Sequence, residues 1–249
     1  MSGGGVYLIT GAGSGIGRAT ARVLEAGGAE HLFLVDQNAE GLKETAMAIQ
    51  KSACSWTVMD VADPAAWAAL PVDVPLTGAV ICAGVSKAAL ITQMSFDDWR
   101  HVLAVNLDGA FLAMQTVLQH AQNGASIVAV SSATGHKAAA MTAAYGASKA
   151  GLSQLVKVAA LEAAPRKIRV NAIAPGGVKT PMFSDQDFFE SLKTEHGGEA
   201  GAWAALAGAT PLGGFAEPEE IARMIAFLLG AESATMTGAV LSCDGGYGL

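Results

Sequence analysis

Val6-Tyr7-Leu8-Ile9-Thr10-Gly11-Ala12-Gly13-Ser14-Gly15-Ile16-Gly17-Arg18 decides the fold. Its first five residues form a short apolar run that reads as a β-strand. Four glycines follow within seven residues, and the periodic run to Ala26 reads as a helix. Glycines let the backbone turn sharply and approach a pyrophosphate closely. The helix start then offers free N–H groups and the positive end of its dipole to phosphates. A plain strand-to-helix turn would not need so many glycines. A P-loop is excluded, because no Gly-Lys-Ser/Thr follows.

Outward from this unit, short apolar runs alternate with helical patterns. Strands are predicted at 6–10, 31–36, 55–59, 78–82, 126–130, 169–174 and 239–242. Helices are predicted at 15–26, 39–50, 65–70, 96–122, 143–163 and 218–229, the fourth broken near Asn106 to Gly109. This alternation implies βαβ crossovers and a doubly wound, Rossmann-like α/β fold. Its parallel sheet of about seven strands should be covered on both faces. No linker interrupts the order, so residues 1–249 read as a single domain. The stretch 180–214 is longer than usual connections and carries Phe183, Phe188, Phe189, Leu192 and Trp203. It reads as a lid over a substrate site.

Composition excludes several classes. The 249 residues are 51% hydrophobic and 15% charged, with a net charge of −7. No Lys/Arg cluster stands out, so nucleic acid and anionic membranes are poor partners. Cys54, Cys82 and Cys243 form no C-x-x-C pair, no H-x-x-x-H spacing exists, and no metal site is indicated. Residues 109–135 lack Asp, Glu, Lys and Arg, but polar Gln115, Gln119, His120, Gln122 and Asn123 interrupt them. They read as a buried helix, a turn and a buried strand rather than a membrane span. No basic leader precedes the first strand, so a cytoplasmic location is expected.

Asp36 ends the second predicted strand, 19 positions after Gly17. A carboxylate there can accept both ribose hydroxyls of adenosine and would repel the extra phosphate of NADP. Gln37 follows it, and no Arg or Lys lies between Gly11 and Gly17. NAD is therefore the expected cofactor. Asp60-Val61, after the third strand, is placed to meet the adenine.

Several further motifs occur in order. Thr10-Gly11-Ala12-Gly13-Ser14-Gly15-Ile16-Gly17 resembles the T-G-x-x-x-G-x-G element of the short-chain dehydrogenase/reductase family. Tyr145-Gly146-Ala147-Ser148-Lys149 is similar to that family's Y-x-x-x-K, with Ser132 13 residues earlier, where its catalytic serine lies. Asn106-Leu107-Asp108-Gly109 resembles its N-x-x-G, Pro175-Gly176 its P-G turn, Thr180 its nicotinamide-contacting threonine, and Asp244-Gly245-Gly246 its C-terminal D-G-G. One departure is Ile81-Cys82-Ala83-Gly84, where the family usually has Asn-Asn-Ala-Gly. The retained Ala-Gly still lets the backbone pass close to a cofactor, and Cys82 reads as an apolar filler.

The resemblance implies an NAD-dependent oxidation of a secondary alcohol, or reduction of its ketone. Tyr145 would be the base, Ser132 would hold the substrate oxygen, Lys149 would hold the nicotinamide ribose, and Asn106 would support a proton relay. It also implies that Cys82, Ala83, Gly84, Pro175, Gly176, Val178 and Thr180 join the glycine loop around the cofactor. Thr134, His136 and Met141, which lie between Ser132 and Tyr145, are expected to line the substrate pocket. Gly177, Met182 and Phe183 are expected on its other wall. The sulfur and aromatic groups favour a hydrophobic alcohol, although Lys137 and Lys179 keep an anionic one open.

Chemistry argues the same way. Tyr145 and Lys149 stand i and i+4 and share one helix face. A phenol near pKa 10 needs about three units of help at neutral pH, or about 4 kcal/mol. One charge at about 4 Å with an effective dielectric near 20 supplies about that. Lys149 is thus expected to depress the Tyr145 phenol. The rival readings are an oxoacyl-type carbonyl reductase using NADPH, and a catalytically silent dinucleotide sensor. The first would want a basic residue near the glycine loop or after the second strand, and the sequence reads as having neither. Leu152, Leu155, Val156, Val158 and Leu161, with the charge-poor run 107–118, predict burial against copies of the chain in a homotetramer or homodimer.

Overall fold

The computed structural model describes residues 4–208 and 210–249. Seven parallel strands form one sheet in the order β3-β2-β1-β4-β5-β6-β7. They are β1 (Val6–Thr10), β2 (His31–Asp36), β3 (Ala53–Val58), β4 (Leu76–Ile81), β5 (Ala121–Val130), β6 (Arg169–Pro175) and β7 (Val240–Cys243). The helices are α1 (Gly15–Ala26), α2 (Ala39–Ala48), α3 (Pro64–Ala68), α4 (Phe96–Leu103), α5 (Gly109–His120), α6 (Ala143–Ala163), α7 (Pro181–Ser184), α8 (Asp187–Glu195), α9 (Glu199–Ala207) and α10 (Pro218–Leu229). The expected doubly wound architecture is present.

Each sheet face buries its own core. Leu152 and Val156 of α6 and Met114 and Val117 of α5 cover one face, against Leu8, Ala79, Ile127 and Val170. Leu24 of α1, Leu42 of α2, and Ile221 and Ile225 of α10 cover the other, against Ile9, Leu34, Val128 and Ile173. β1 pairs with β2 on one side and β4 on the other, so the chain reverses its winding between β1 and β4. Ligands of such sheets bind at this reversal, beyond the carboxyl ends of the strands.

The structure corrects three expectations. β3 is an edge strand rather than doubly buried, with Trp56 and Val58 47% and 46% exposed. The helix predicted over 96–122 is broken as expected, by a π-turn at Ala104–Asp108 between α4 and α5. The strand after it starts at Ala121 rather than residue 126, and absorbs the expected turn with Gly124 at φ +82°. Residues 180–214 contain three short helices, α7 to α9, where no regular structure was predicted. Phe189, Ala202 and Trp203 are buried there in a small core of their own, with Phe183 and Phe215 packed on it. The apolar run 96–120 is long enough to cross a membrane, but its Val102, Val105, Ala113, Met114 and Val117 are buried in the fold.

Candidate active site

β1 and β4 are stitched where they diverge. The Thr10 hydroxyl accepts the amides of Cys82 at 3.0 Å and Ala83 at 3.1 Å. Gly11 then turns at φ +68°, and a side chain there would lie 2.9 Å from the Ala83 backbone. At Gly17 a Cβ would sit 2.1 Å from the Gly11 carbonyl oxygen, so α1 packs onto the loop at a distance only glycine allows. Ser14 makes no side-chain cap on α1, and no acidic residue lies in the first turn. The helix therefore presents amides not capped by side chains at its positive end, which suits the pyrophosphate of a dinucleotide.

Asp36 lies at one end of this cradle. Its carboxylate accepts the Gly13 amide at 2.8 Å and the Asn38 amide at 2.9 Å. Asn38 caps α2 by accepting the Gly41 amide at 3.0 Å. The absence of a basic group near the loop needs correction. Arg18 donates to the Gly13 and Gly41 carbonyls, to Thr45 and to Glu44, and so brings a guanidinium against the glycine turn. Its ion pair with Glu44, at 2.8 Å, offsets that charge. Asp60 accepts the Ala62 amide and so also shapes its own loop.

One open cavity of about 740 Å³ runs from this end to the chemistry-bearing residues. Every residue expected at the cofactor lines it: Gly11, Gly13, Ser14, Gly15, Ile16 and Gly17 of the first turn, Asp36 and Gln37, Asp60 and Val61, Cys82 to Gly84, Tyr145 and Lys149, and Pro175, Gly176, Val178 and Thr180. Ser132 lies on the same wall. Thr180 reaches over the loop, its Cγ2 3.0 Å from where a Gly15 Cβ would be.

Lys149 is buried, donates to the Val130 carbonyl at 2.8 Å, and stands 5.6 Å from the Tyr145 ring centre. Burial lowers the Lys149 ammonium to about 8, partly opposed by the neighbouring Cys82. Burial likewise raises the Tyr145 phenol above its ordinary value; a hydrogen bond with Ser132 pulls it down, and Cys82 adds to the rise. The expected depression of the phenol by Lys149 is thus not delivered by the protein groups alone, because desolvation disfavours both charged forms together. Burial pushes the Cys82 thiol to about 12, which fits a filler rather than a nucleophile.

Asn106 is fully buried in the π-turn and does not line the cavity. Its amide accepts the Val85 N–H at 2.8 Å and donates to the Val85 carbonyl at 2.9 Å and Ser148 at 3.1 Å. The side chain is a clamp on the segment after Gly84.

The substrate expectations divide. Ser132, Tyr145, Met182 and Phe183 line the cavity, whereas Thr134, His136, Met141 and Gly177 do not. Thr134 bonds the Ser132 hydroxyl at 2.9 Å. His136 faces Gly248, and the Phe215 ring covers Gly177. Met141 turns through φ +66° and is 47% exposed. Sequence reading missed Ser131, which binds the Lys149 carbonyl at 3.1 Å, and Asp185 and Gln186, which join the cavity wall. Ser131 adjoins Ser132, so the strand end was the available signal. Nothing local marked the other two.

Comparison with known proteins agrees with this geometry. Residues 11–248 match the family model described as enoyl-(acyl carrier protein) reductase. A cis-4-hydroxycyclohexanecarboxylate dehydrogenase of Sinomonas cyclohexanicum is 35% identical, over 97% of this chain and 96% of its own length. The 3-oxoacyl-(acyl-carrier-protein) reductase FabG of Thermotoga maritima is 36% identical, over 98% and 97%. The crystal structure of levodione reductase superposes with a TM-score of 0.89 at 32% identity, covering 98% of this chain and 97% of that one. Members of the family use a nicotinamide dinucleotide, and the uncapped amides of α1 over a glycine cradle fit one here. With its seven-stranded parallel sheet, its Y-x-x-x-K helix and these full-length matches, the chain belongs to the short-chain dehydrogenase/reductase family.

Proposed function

We propose that this chain is an NAD-dependent dehydrogenase that interconverts a hydrophobic secondary alcohol and its ketone. The observation that carries the reading is the convergence of Ser132, Tyr145 and Lys149 on one cavity wall, continuous with the glycine cradle. The glycine loop, Asp36 and Thr180 would hold the dinucleotide, which supplies hydride acceptance and return when bound. The Tyr145 oxygen, once ionised, takes the alcohol proton and becomes the neutral phenol, and Ser132 holds the alcohol oxygen by hydrogen bonding. Lys149, 5.6 Å from the phenol ring, would hold the nicotinamide ribose. Asn106 keeps the Val85 backbone fixed against the catalytic helix.

NAD rather than NADP is supported by Asp36, whose carboxylate faces the cavity while Arg18 is occupied by Glu44. A ring-bearing alcohol is supported by Met182 and Phe183 on the wall, and by relatives named for a hydroxycyclohexanecarboxylate and for levodione. Residues 180–214 act as the lid over that alcohol. Assembly with copies of the chain is supported by half-exposed Phe111 and by Leu161, 78% exposed on α6. The test is a screen for NADH formation over secondary, cyclic and polyhydroxy alcohols. Turnover of at least one cyclic alcohol with NAD supports the reading. Turnover with NADP alone, or none with any alcohol, refutes it.

A further inference from the structure

The reacting end of the cavity is poor in available cations. Four lysines lie in or near it in sequence, and each has a partner. Lys87, next to Ser86 of the wall, pairs with Asp98 at 4.0 Å. Lys149 is buried and donates to the Val130 carbonyl. Lys137 sits 4.6 Å from the Tyr247 ring centre, donates to the Tyr247 carbonyl, and lies 3.3 Å from the Leu249 oxygen. Lys179 pairs with Glu217 at 2.5 Å and does not line the cavity. Among the described residues, the cavity wall carries two cations, Arg18 at the glycine turn and Lys149, and five carboxylates, of which Asp36, Glu40, Glu44 and Asp60 stand at the cradle end, on or beside α2 and after β3. One of those carboxylates, Asp185, follows α7 directly and lies two positions after Phe183, on the segment that also brings Met182 to the wall.

A substrate carboxylate or phosphate placed at this end would lose water without gaining a cationic partner. Burial of an unpaired charge is costly, and a nearby like charge adds to the cost. A neutral polar group suffers far less. From this, and resting on the dehydrogenase reading above, we infer that the enzyme selects uncharged alcohols against anionic ones, with Asp185 as a specificity-determining residue. The preferred substrate class is then a neutral, largely apolar secondary alcohol or ketone, rather than a hydroxy acid, a phosphorylated sugar or an acyl chain presented on an acidic carrier.

The test compares twins of nearly equal shape. 4-Hydroxycyclohexanecarboxamide and 4-hydroxycyclohexanecarboxylate, each as cis and trans isomers, are assayed by NADH formation for kcat and KM separately. The expected ratio of kcat/KM is at least about tenfold in favour of the carboxamide, carried by KM. Asp185→Asn should reduce the ratio severalfold, and Asp185→Lys should reduce it further. Asp185 is exposed, so neither variant threatens the fold. Equal or better use of the carboxylate by the wild type overturns the inference while leaving the dehydrogenase reading intact. An unchanged ratio in both variants removes Asp185 as its cause. If both twins fail while an uncharged cyclic alcohol is oxidised, the same ratio is taken from competitive inhibition of that alcohol. Failure of every alcohol refutes the dehydrogenase reading itself and this inference with it.

Discussion

The Asp36 carboxylate accepts the Gly13 amide at 2.8 Å, so the residue proposed to choose the cofactor also holds the glycine turn. Asp36→Ala should therefore act twice, by removing the ribose acceptor and by loosening the loop. The expected result is an NAD KM raised at least about tenfold, with NADP gaining relative to NAD, since one lost charged hydrogen bond is worth about 1.5–3 kcal/mol. Quenching of tryptophan fluorescence by NADH and NADPH measures both affinities. Unchanged discrimination between the two would remove Asp36 from the cofactor assignment.

Asn106 holds both backbone groups of Val85 from 21 residues away. Asn106→Leu leaves the partly buried N–H and carbonyl of Val85 without these partners, at up to about 1–3 kcal/mol each. Thermal melting should drop by about 5–15 °C. Dinucleotide affinity should fall less than alcohol turnover, because the cradle at Gly11 to Gly17 is built from other contacts. A melting point unchanged within error would show that the clamp is not structural.

Gly17→Ala tests the cradle itself. A methyl placed 2.1 Å from the Gly11 carbonyl oxygen cannot be relieved by a side-chain rotation, since its neighbour is backbone. Loss of NADH-dependent fluorescence quenching is the expected outcome, together with lower stability. Full retention of NADH affinity in a folded variant would mean that α1 does not approach the loop this closely.

What was legible in the sequence was local. The glycine loop, the strand ending at Asp36 and the i, i+4 pair of Tyr145 and Lys149 are short-range patterns, and the structure places all of them on one cavity. Relations between distant segments were not legible. Nothing near Asn106 reveals that it grips Val85, and nothing in Arg18 reveals its contact with the Gly13 carbonyl. The helices between Thr180 and Gly208 are short and lie beside Gly197 and Gly198. Their stability comes from Phe189 and Trp203 packing together, with ring centres 4.4 Å apart, and not from helical periodicity. His136 and Met141 were placed in the pocket by nearness to Tyr145 in sequence. Nearness does not fix direction, and the left-handed backbone at Met141 leaves that side chain exposed.

Lys149 predicts a conflict between stability and function. Its folded value of about 8 lies below the ordinary 10.5, so folding disfavours the ammonium. Below pH 8 both states are protonated and the penalty is fully present. Between 8 and 10.5 the unfolded chain binds more proton, so stability rises with pH, and above that range the penalty is gone. Lys149→Met should consequently be inactive yet more stable at pH 7, by up to about 3 kcal/mol. The gain should shrink on going from pH 8 to pH 10. Chemical denaturation of both proteins at pH 7 and pH 10 gives the comparison. A variant less stable than wild type at pH 7 would contradict the burial argument.

The proton step predicts a pH profile. With the phenol raised and the ammonium lowered to about 8, the Tyr145–Lys149 pair loses its first proton near 8, whichever atom it leaves. Alcohol oxidation needs that proton gone and ketone reduction needs it present. The kcat/KM for oxidation should then climb about tenfold per pH unit up to about pH 8 and flatten above it, while reduction falls over the same range. Tyr145→Phe should lose about 10²–10⁴ in kcat in both directions and keep its NADH affinity. In the residual activity of that variant the tenfold-per-unit rise should be lost, because no phenol remains to take the alcohol proton, although Lys149 still titrates near 8. A residual rate with the wild-type profile would assign the titration to another group and take the base role from Tyr145.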